Sequence, residues 1–278
     1  MQLSPRYGSD PVVTLDGSPA AILEPTIRQR RRLADALASF SEEQWAHPSR
    51  CAGWSNRDVI IHLDSTNNFW AFSIGAGVRG EPTQFLATFD PVASPAKLVA
   101  GSTGVSAGEA LDRFVASTDA LAAVLTSLSD DDWSARAESP IGHVSISVVA
   151  HHALWDAWVH ERDILLPLGV EPIEEADEVT ASLRYVASLG PALSVDGGTA
   201  AHGTLAVAVT RPAVSFVVEI SDRVVVRTGS SPADLLLAGD AVDLLEALSA
   251  RKAMSQSVPA ELAWMVGGLA VVFDAAPD

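Results

Sequence analysis

The sequence predicts a protein in which an N-terminal, all-α bundle of four long helices precedes a smaller C-terminal α+β domain. Three observations support this fold class. Apolar residues recur at helical spacing in four segments before residue 170, and three short segments after it are rich in β-branched residues. Helical spacing then returns towards the C-terminus. We therefore expect a boundary near Val170, with domains at 1–170 and 171–278.

The four helices of the bundle are predicted over 25–40, 55–74, 106–128 and 145–166. Ser55 can cap the second helix and Ser145 or Ser147 the fourth, because serine oxygens accept hydrogen bonds from the free N–H groups of a first turn. Pro167 and Gly169 are typical of a helix end. The segment 75–104, which contains glycine and proline, predicts a long connection with room for a short helix.

The second domain is predicted from a change of pattern. A helix near 174–188 is followed by GTLAVAVT, AVSFVVEIS and DRVVVRTG, which predict three strands. The segment SPADLLLAGDAVDLLEALSARK has helical spacing, and Ser231 and Pro232 suit a first turn, so we expect one helix there. The segment PAELAWMVGGLAVVF predicts a final helix.

Composition narrows the range of partners. The chain has 278 residues and a formal net charge of -17, which repels the phosphates of nucleic acid and of anionic membranes. We therefore expect a small-molecule substrate and neither nucleic acid nor a membrane as partner. Without a signal peptide or a spanning segment, the expected location is cytoplasmic, as a monomer or homodimer. The arginines of RQRRR, starting at Arg28, are expected to form an exposed helical face.

The single cysteine, Cys51, excludes an internal disulfide framework and a thiolate-cluster metal site. Histidines and carboxylates are therefore the expected metal ligands. We expect Cys51 itself to be a small buried hydrophobic residue and Trp54 to be a packing residue.

The fourth helix carries HHALWDAWVHERD, in which Asp156 and His160 are four residues apart and share a face. His152 lies one turn earlier on this face and is an alternate ligand. His62, in the apolar DVIIHL of the second helix, needs a polar partner if it faces inward. Facing helices of bundles build metal sites in this way. A hydrogen-bonded His–Asp pair beside a satisfied core histidine is the other interpretation of the same pattern.

The strings CAGWSNRDVIIHL and WDAWVHERDILLPLG resemble the mycothiol-dependent maleylpyruvate isomerase family of the DinB-like superfamily. The C-terminal strands and LLLAGDAVDLLEALSAR are similar to that family's smaller, sterol-carrier-like domain. The resemblance implies that His62, Asp156 and His160 bind zinc and leave an open position for the thiol cosubstrate, mycothiol. The family usually has glutamate where this chain has Asp156. Arg251 resembles an arginine that meets an anionic substrate, which makes it the candidate catalytic residue, although a cation near a helix C-terminus also interacts with the helix dipole.

What the resemblance implies is a zinc-dependent enzyme that activates a low-molecular-weight thiol and isomerises a maleylpyruvate-type substrate from cis to trans. The same residues would serve a thiol S-transferase. Metal-activated water, a His–Asp base pair without metal, and a non-catalytic small-molecule binding protein are further interpretations.

Overall fold

The computed structural model describes residues 5–196 and 202–272 and shows a helical N-terminal region followed by a sheet domain, as the sequence predicts. The helices are α1 (Leu23–Leu37), α2 (Glu42–Ala46), α3 (Asn56–Val78), α4 (Ala93–Gly101), α5 (Ala107–Thr126), α6 (Ile146–Leu165), α7 (Ala176–Asp196), α8 (Ala241–Leu248) and α9 (Gly268–Val272). The strands are β1 (Val13–Leu15), β2 (Arg136–Ser139), β3 (Gly142–Ser145), β4 (Gly203–Thr210), β5 (Val214–Ile220), β6 (Val224–Thr228) and β7 (Leu235–Asp240). None of the described helices is long and apolar enough to cross a membrane.

The bundle consists of α1, α3, α5 and α6, the four predicted helices. Ser55 begins α3 with a capping box, in which its side chain accepts from the N–H of Asp58 and the Asp58 carboxylate accepts from the Ser55 N–H. Ser145 caps α6 by accepting from Val148. Leu63 and Phe114 are fully buried between the helices. Burying each such side chain stabilises the fold by roughly 1.5–3 kcal/mol.

The expectation of an exposed arginine face on α1 holds for Arg31 but is wrong for the other three arginines. Arg30 lies inside the bundle, and Arg28 and Arg32 form ion pairs with Glu178 of α7. Arg32 also pairs with Glu161 of α6 at 2.8 Å. For Arg28 and Arg32 the reason for the difference is that acidic side chains of α6 and α7 pack against them.

The predicted long connection begins after α3 and contains a 3-10 helix, Phe85–Thr88, and the short helix α4. The first part of this connection is held by Glu138, a fully buried residue of the β2–β3 hairpin. The sequence did not predict this hairpin. The Glu138 carboxylate accepts from the hydroxyls of Tyr7 (2.8 Å) and Thr83 (2.6 Å) and from the N–H groups of Phe85 (2.8 Å) and Leu86 (2.7 Å). One buried carboxylate therefore joins the N-terminal segment, the connection and the hairpin.

The sheet has the strand order β1-β6-β5-β4-β7. Strands β4, β5 and β6 are the three predicted strands and are antiparallel, whereas β7 is parallel to β4 and β1 is parallel to β6. In the last pair Val13 lies opposite Val224. The sheet thus includes a strand from the chain's first residues, on the other side of the boundary predicted near Val170.

The single helix expected over SPADLLLAGDAVDLLEALSARK is wrong for its first half. Leu235 and Leu237 are buried while Leu236 between them is 52% exposed, which is the alternation of a strand. The helix starts only after Asp240, whose side chain accepts from the N–H groups of Val242 and Asp243.

The predicted final helix is divided in the structure. A 3-10 helix covers Ala260–Met265, and α9 follows it after a break at Gly267. The last residue of the predicted segment, Phe273, lies outside the described residues.

Candidate metal centre

The three predicted ligands come together between α3 and α6. Oδ1 of Asp156 lies 3.5 Å from Nε2 of His160 and 3.9 Å from Nε2 of His62. The two imidazole rings meet edge to face, with centroids 5.0 Å apart. The three donor atoms all lie within 4.8 Å of one another, in side chains that are only 10–14% exposed. Helical spacing places Asp156 beside His160, and the packing of α3 on α6 supplies His62.

The donor set fits a divalent metal. In a tetrahedral zinc site with bonds of about 2.1 Å, ligand atoms lie about 3.4 Å apart. The separations of 3.5 Å and 3.9 Å from Asp156 are slightly longer than this spacing. Imidazole nitrogen and carboxylate oxygen are preferred zinc donors. The chemistry of the donor set therefore fits zinc, and the role of Asp156 as a ligand stays a prediction.

Asp163 orients the ring of His160. Its Oδ2 lies 3.0 Å from Nδ1 of His160, and the carboxylate is fully buried. A carboxylate on one ring nitrogen fixes the tautomer, so that the other nitrogen, here Nε2, is free to act as a ligand. The functional role of Asp163 is not predicted from the sequence. Its position three residues after His160, on the same helical face, is the signal that could have identified it.

Arg251 reaches this part of the molecule from the sheet domain. Its Nε lies 2.9 Å from Oδ1 of Asp163 and its Nη2 lies 2.9 Å from Oδ2, which is a two-pronged ion pair. A second arginine, Arg50, which the sequence analysis did not single out, places Nε 3.4 Å from the same carboxylate. Arg50 also binds Glu246 of α8 at 2.9 Å. The structure therefore places Arg251 against Asp163, on the Nδ1 side of the His160 ring. Contact between Arg251 and a substrate stays a prediction.

Cys51 is not the buried hydrophobic residue that the sequence predicted. It is half-buried, and its thiol donates to Oδ2 of Asp163 at 3.2 Å. Its sulfur lies 3.6 Å from Nδ1 of His160 and 3.8 Å from Nη2 of Arg251. Cys51, His160 and Asp163 form a second group whose donor atoms lie within 4.8 Å, but the guanidinium of Arg251 already supplies a cation there.

The remaining predicted residues surround the centre. Trp54 packs on the bundle core with its ring 5.4 Å from that of His62, as predicted. His152 lies outside the two groups of possible ligands in the described chain, and its Nδ1 is 2.5 Å from the hydroxyl of Tyr185. Burial lowers the pKa of His152 to about 4, so its imidazole is neutral at pH 7. Its role as an alternate ligand stays a prediction.

The charges of the centre favour a cation. Burial raises the pKa of Asp156, but the hydrogen bond from His62 and the charge of His160 outweigh it, and the net pKa lies well below its usual range. Burial lowers the pKa of His160, but Cys51, Asp163 and Asp156 raise it well above its ordinary value. Two carboxylates around one imidazole therefore favour positive charge there, which a proton or a metal ion can supply.

A four-helix bundle with two histidines and a carboxylate between facing helices, followed by a sheet domain, defines a helical-bundle protein with a candidate metal centre. Residues 27–165 match the family described as the mycothiol maleylpyruvate isomerase N-terminal domain, and the chain belongs to that family, as predicted.

Solved structures share this fold. The crystal structure of the mycothiol-dependent maleylpyruvate isomerase matches with a TM-score of 0.60 and 15% identity, over 87% of this chain and 95% of that chain. A mutant of that enzyme with one histidine changed to alanine matches equally well, at 14% identity. No curated protein matches the sequence. At these identities the likeness establishes the fold.

Proposed function

We propose that this protein is a zinc-dependent enzyme that activates a low-molecular-weight, mycothiol-like thiol and uses it for cis–trans isomerisation of a maleylpyruvate-type substrate. The observation that carries the proposal is the convergence of His62, Asp156 and His160 at distances that suit zinc. Three protein ligands leave a fourth position for a small molecule. Family membership and the name of the enzyme that shares the fold support a thiol in that position. A reduced thiol cosubstrate fits a cytoplasmic location.

The side chains of this chain have distinct tasks in the proposed site. His62, Asp156 and His160 hold the metal, and Asp163 keeps the ring of His160 in its ligating orientation through the bond to Nδ1. The hydroxyl of Thr66 lies 3.4 Å from Oδ2 of Asp156 and steadies the carboxylate. When bound, zinc supplies a Lewis acid that stabilises the anionic form of a thiol sulfur.

The arginines near the site suit an anionic substrate. The side chains of Arg50 and Arg251 are 21% and 26% exposed, so each can offer N–H groups to a carboxylate while it holds Asp163. We assign Arg251 the contact with the substrate. Addition of the thiol sulfur to one carbon of an enedioate makes the former double bond single and allows rotation. Elimination of the same sulfur then returns the trans isomer and the free thiol.

A thiol S-transferase is the alternative activity for this site. If the substrate carries a leaving group or an epoxide, the same attack gives a stable thioether. The metal-ligand group and the arginines are common to both reactions, so the choice between them depends on the substrate.

Metal analysis tests the proposal. Protein expressed with added zinc is purified, and its zinc content is measured by inductively coupled plasma mass spectrometry for the wild type, His62→Ala and His202→Ala. His202 is an exposed histidine outside the ligand groups and provides the matched control. We expect one zinc per chain in the wild type and the control and a large loss in His62→Ala. A zinc-free wild type with unchanged activity in His62→Ala would overturn the proposal.

Activity is then measured with mycothiol and a maleylpyruvate-type substrate. A thiol-dependent change from the cis to the trans isomer is the expected result. A thiol adduct of the substrate, detected by mass spectrometry, would identify the transferase. Turnover that does not depend on the thiol contradicts both activities, and binding of the substrate without turnover would identify a binding protein.

A further inference from the structure

Three side chains of different chemistry meet on the Nδ1 side of the His160 ring, opposite the nitrogen that faces Asp156. Sγ of Cys51 lies 3.2 Å from Oδ2 of Asp163 and 3.6 Å from Nδ1 of His160. The same Oδ2 lies 3.0 Å from that Nδ1. A thiol sulfur, an imidazole nitrogen and a carboxylate oxygen thus form a group of three donor atoms, which we call the cysteine triangle.

The sides of the cysteine triangle are close to those of a metal site. With bonds of about 2.3 Å to sulfur and about 2.1 Å to nitrogen and oxygen, tetrahedral ligand atoms lie about 3.4–3.6 Å apart. The two shorter sides of the triangle are hydrogen bonds to Oδ2 of Asp163, in which a proton lies between atoms that a metal ion would bridge. Replacing these protons with one cation needs an expansion of less than about half an ångström.

The guanidinium of Arg251 shows that the cysteine triangle attracts positive charge. Its Nη2 lies 2.9 Å from Oδ2 of Asp163 and 3.8 Å from Sγ of Cys51, so it covers two of the three corners. Because this side chain is 26% exposed, it has a route to solvent. Arg50 would stay in place, with its Nε 3.4 Å from the other oxygen of Asp163, Oδ1. The carboxylate therefore keeps a positive partner when Arg251 leaves.

We propose that the cysteine triangle is a second metal site, which binds a thiophilic divalent cation such as cadmium or zinc in place of Arg251. Thiolate is a soft ligand and favours these metals over magnesium and calcium, which prefer oxygen. On binding, the Cys51 thiol loses its proton to solvent. The proton of His160 moves from Nδ1 to Nε2, because the metal needs the lone pair of Nδ1.

The position of this proton makes the two metal sites mutually exclusive. In the centre formed with His62 and Asp156, His160 would ligate through Nε2 and keep its proton on Nδ1, beside Asp163. At the cysteine triangle the two nitrogens exchange these tasks, and one neutral imidazole cannot perform both. A metal at the triangle therefore removes a ligand from the first centre. The resulting loss of zinc rests on the proposed function, whereas the second site does not.

Cadmium difference spectroscopy on protein freed of metal with a chelator tests the site. Cys51 is the only cysteine of the chain, so an ultraviolet sulfur-to-cadmium charge-transfer band reports its coordination alone. We expect a saturable band in excess cadmium in the wild type and in His62→Ala, which weakens the competing centre, and no band in Cys51→Ser. Absence of the band from both proteins would overturn the proposal, as would a band that is lost in His62→Ala. If His62→Ala does not fold, the wild type decides alone.

The affinity read from the same titration tests the other members of the site. Arg251→Gln is expected to bind cadmium at least about fivefold more tightly than the wild type, because a competing cation is gone. Arg227→Gln, at an exposed arginine of β6, is the matched control and should stay within about twofold. Asp163→Asn should bind at least about tenfold more weakly, since it loses a charged ligand.

Unchanged cadmium affinity in Arg251→Gln or in Asp163→Asn would show that cadmium binds an isolated thiol only, which refutes the site. A wild type that holds no zinc at the first centre would instead refute the proposed function. The cadmium titration would still decide whether the cysteine triangle binds metal.

Discussion

Asp163 and His160 form a buried pair, in which Oδ2 of the carboxylate lies 3.0 Å from Nδ1 of the ring. The opposite ring nitrogen faces Asp156 at 3.5 Å. Because Asp163 also binds Arg251, one carboxylate connects a candidate metal ligand with the sheet domain. The first prediction concerns this link.

Replacing Asp163 with Asn is expected to weaken zinc binding by about 10–100-fold, because loss of the carboxylate behind a ligating histidine loosens its orientation. Competition with a chromophoric chelator measures the change. Asp177→Asn, at an exposed partner of Arg28, is the matched control and should bind zinc as the wild type does. Equal affinities in both variants would show that Asp163 does not support the site.

Asp156→Ala is expected to lower zinc affinity by roughly 100- to 1,000-fold, since a four-ligand zinc site supplies about 10–16 kcal/mol and one ligand contributes about a quarter of it. Asp156→Glu, which restores the residue usual in the family, should bind zinc at least as tightly as the wild type. The separations of 3.5 Å and 3.9 Å around Asp156 leave room for a longer side chain to approach. Isothermal titration of the zinc-free variants checks both outcomes. Strong binding by Asp156→Ala would exclude Asp156 as a ligand.

The lowered pKa of His152 is expected to make the protein less stable in mild acid. Burial lowers its pKa from 6.5 to about 4, so between these values the unfolded chain binds more protons than the folded one. The free energy of unfolding therefore falls as the pH decreases from 6.5 to 4, by about 3 kcal/mol for this group. Urea unfolding at pH 7.5 and pH 4.5 measures the difference. The difference between the two pH values should shrink in His152→Gln and persist in His202→Gln, because His202 is exposed. An undiminished difference in His152→Gln would contradict the assignment.

Glu138→Gln is expected to destabilise the protein by roughly 2–4 kcal/mol, because an amide group replaces one of the carboxylate oxygens that accept four hydrogen bonds. The connection between α3 and α5 should then become sensitive to proteases, with cleavage sites between residues 79 and 104. Urea unfolding and limited proteolysis test the two effects. Glu81→Gln, at an exposed residue of the same connection, should change neither. Wild-type resistance to proteolysis in Glu138→Gln would refute the anchoring role.

Much of the bundle and its candidate ligands could be predicted from the sequence, because helical spacing and serine caps are local signals. Asp156 and His160 share a face by spacing alone, whereas the approach of His62 was inferred from its apolar context and the family resemblance. The contact of Asp163 with His160 was missed although its spacing is local, whereas its contact with Arg251 and the burial of Arg30 depend on how distant segments pack.

The errors in the sheet domain have a related cause. Leu235 and Leu237 fit a helical pattern as well as a strand, and only pairing with β4 distinguishes the two. The strand β1 has three residues, too few to show a period, and its partner lies far along the chain.

The pairing of Val13 with Val224 sets an order for assembly during synthesis. At about 5–20 residues per second, a ribosome needs roughly 10–40 seconds between making these two residues. Throughout that time β1 lacks its partner in the sheet, although the bundle helices that follow it can already pack. Completion of the sheet is therefore a later event in synthesis than formation of the bundle.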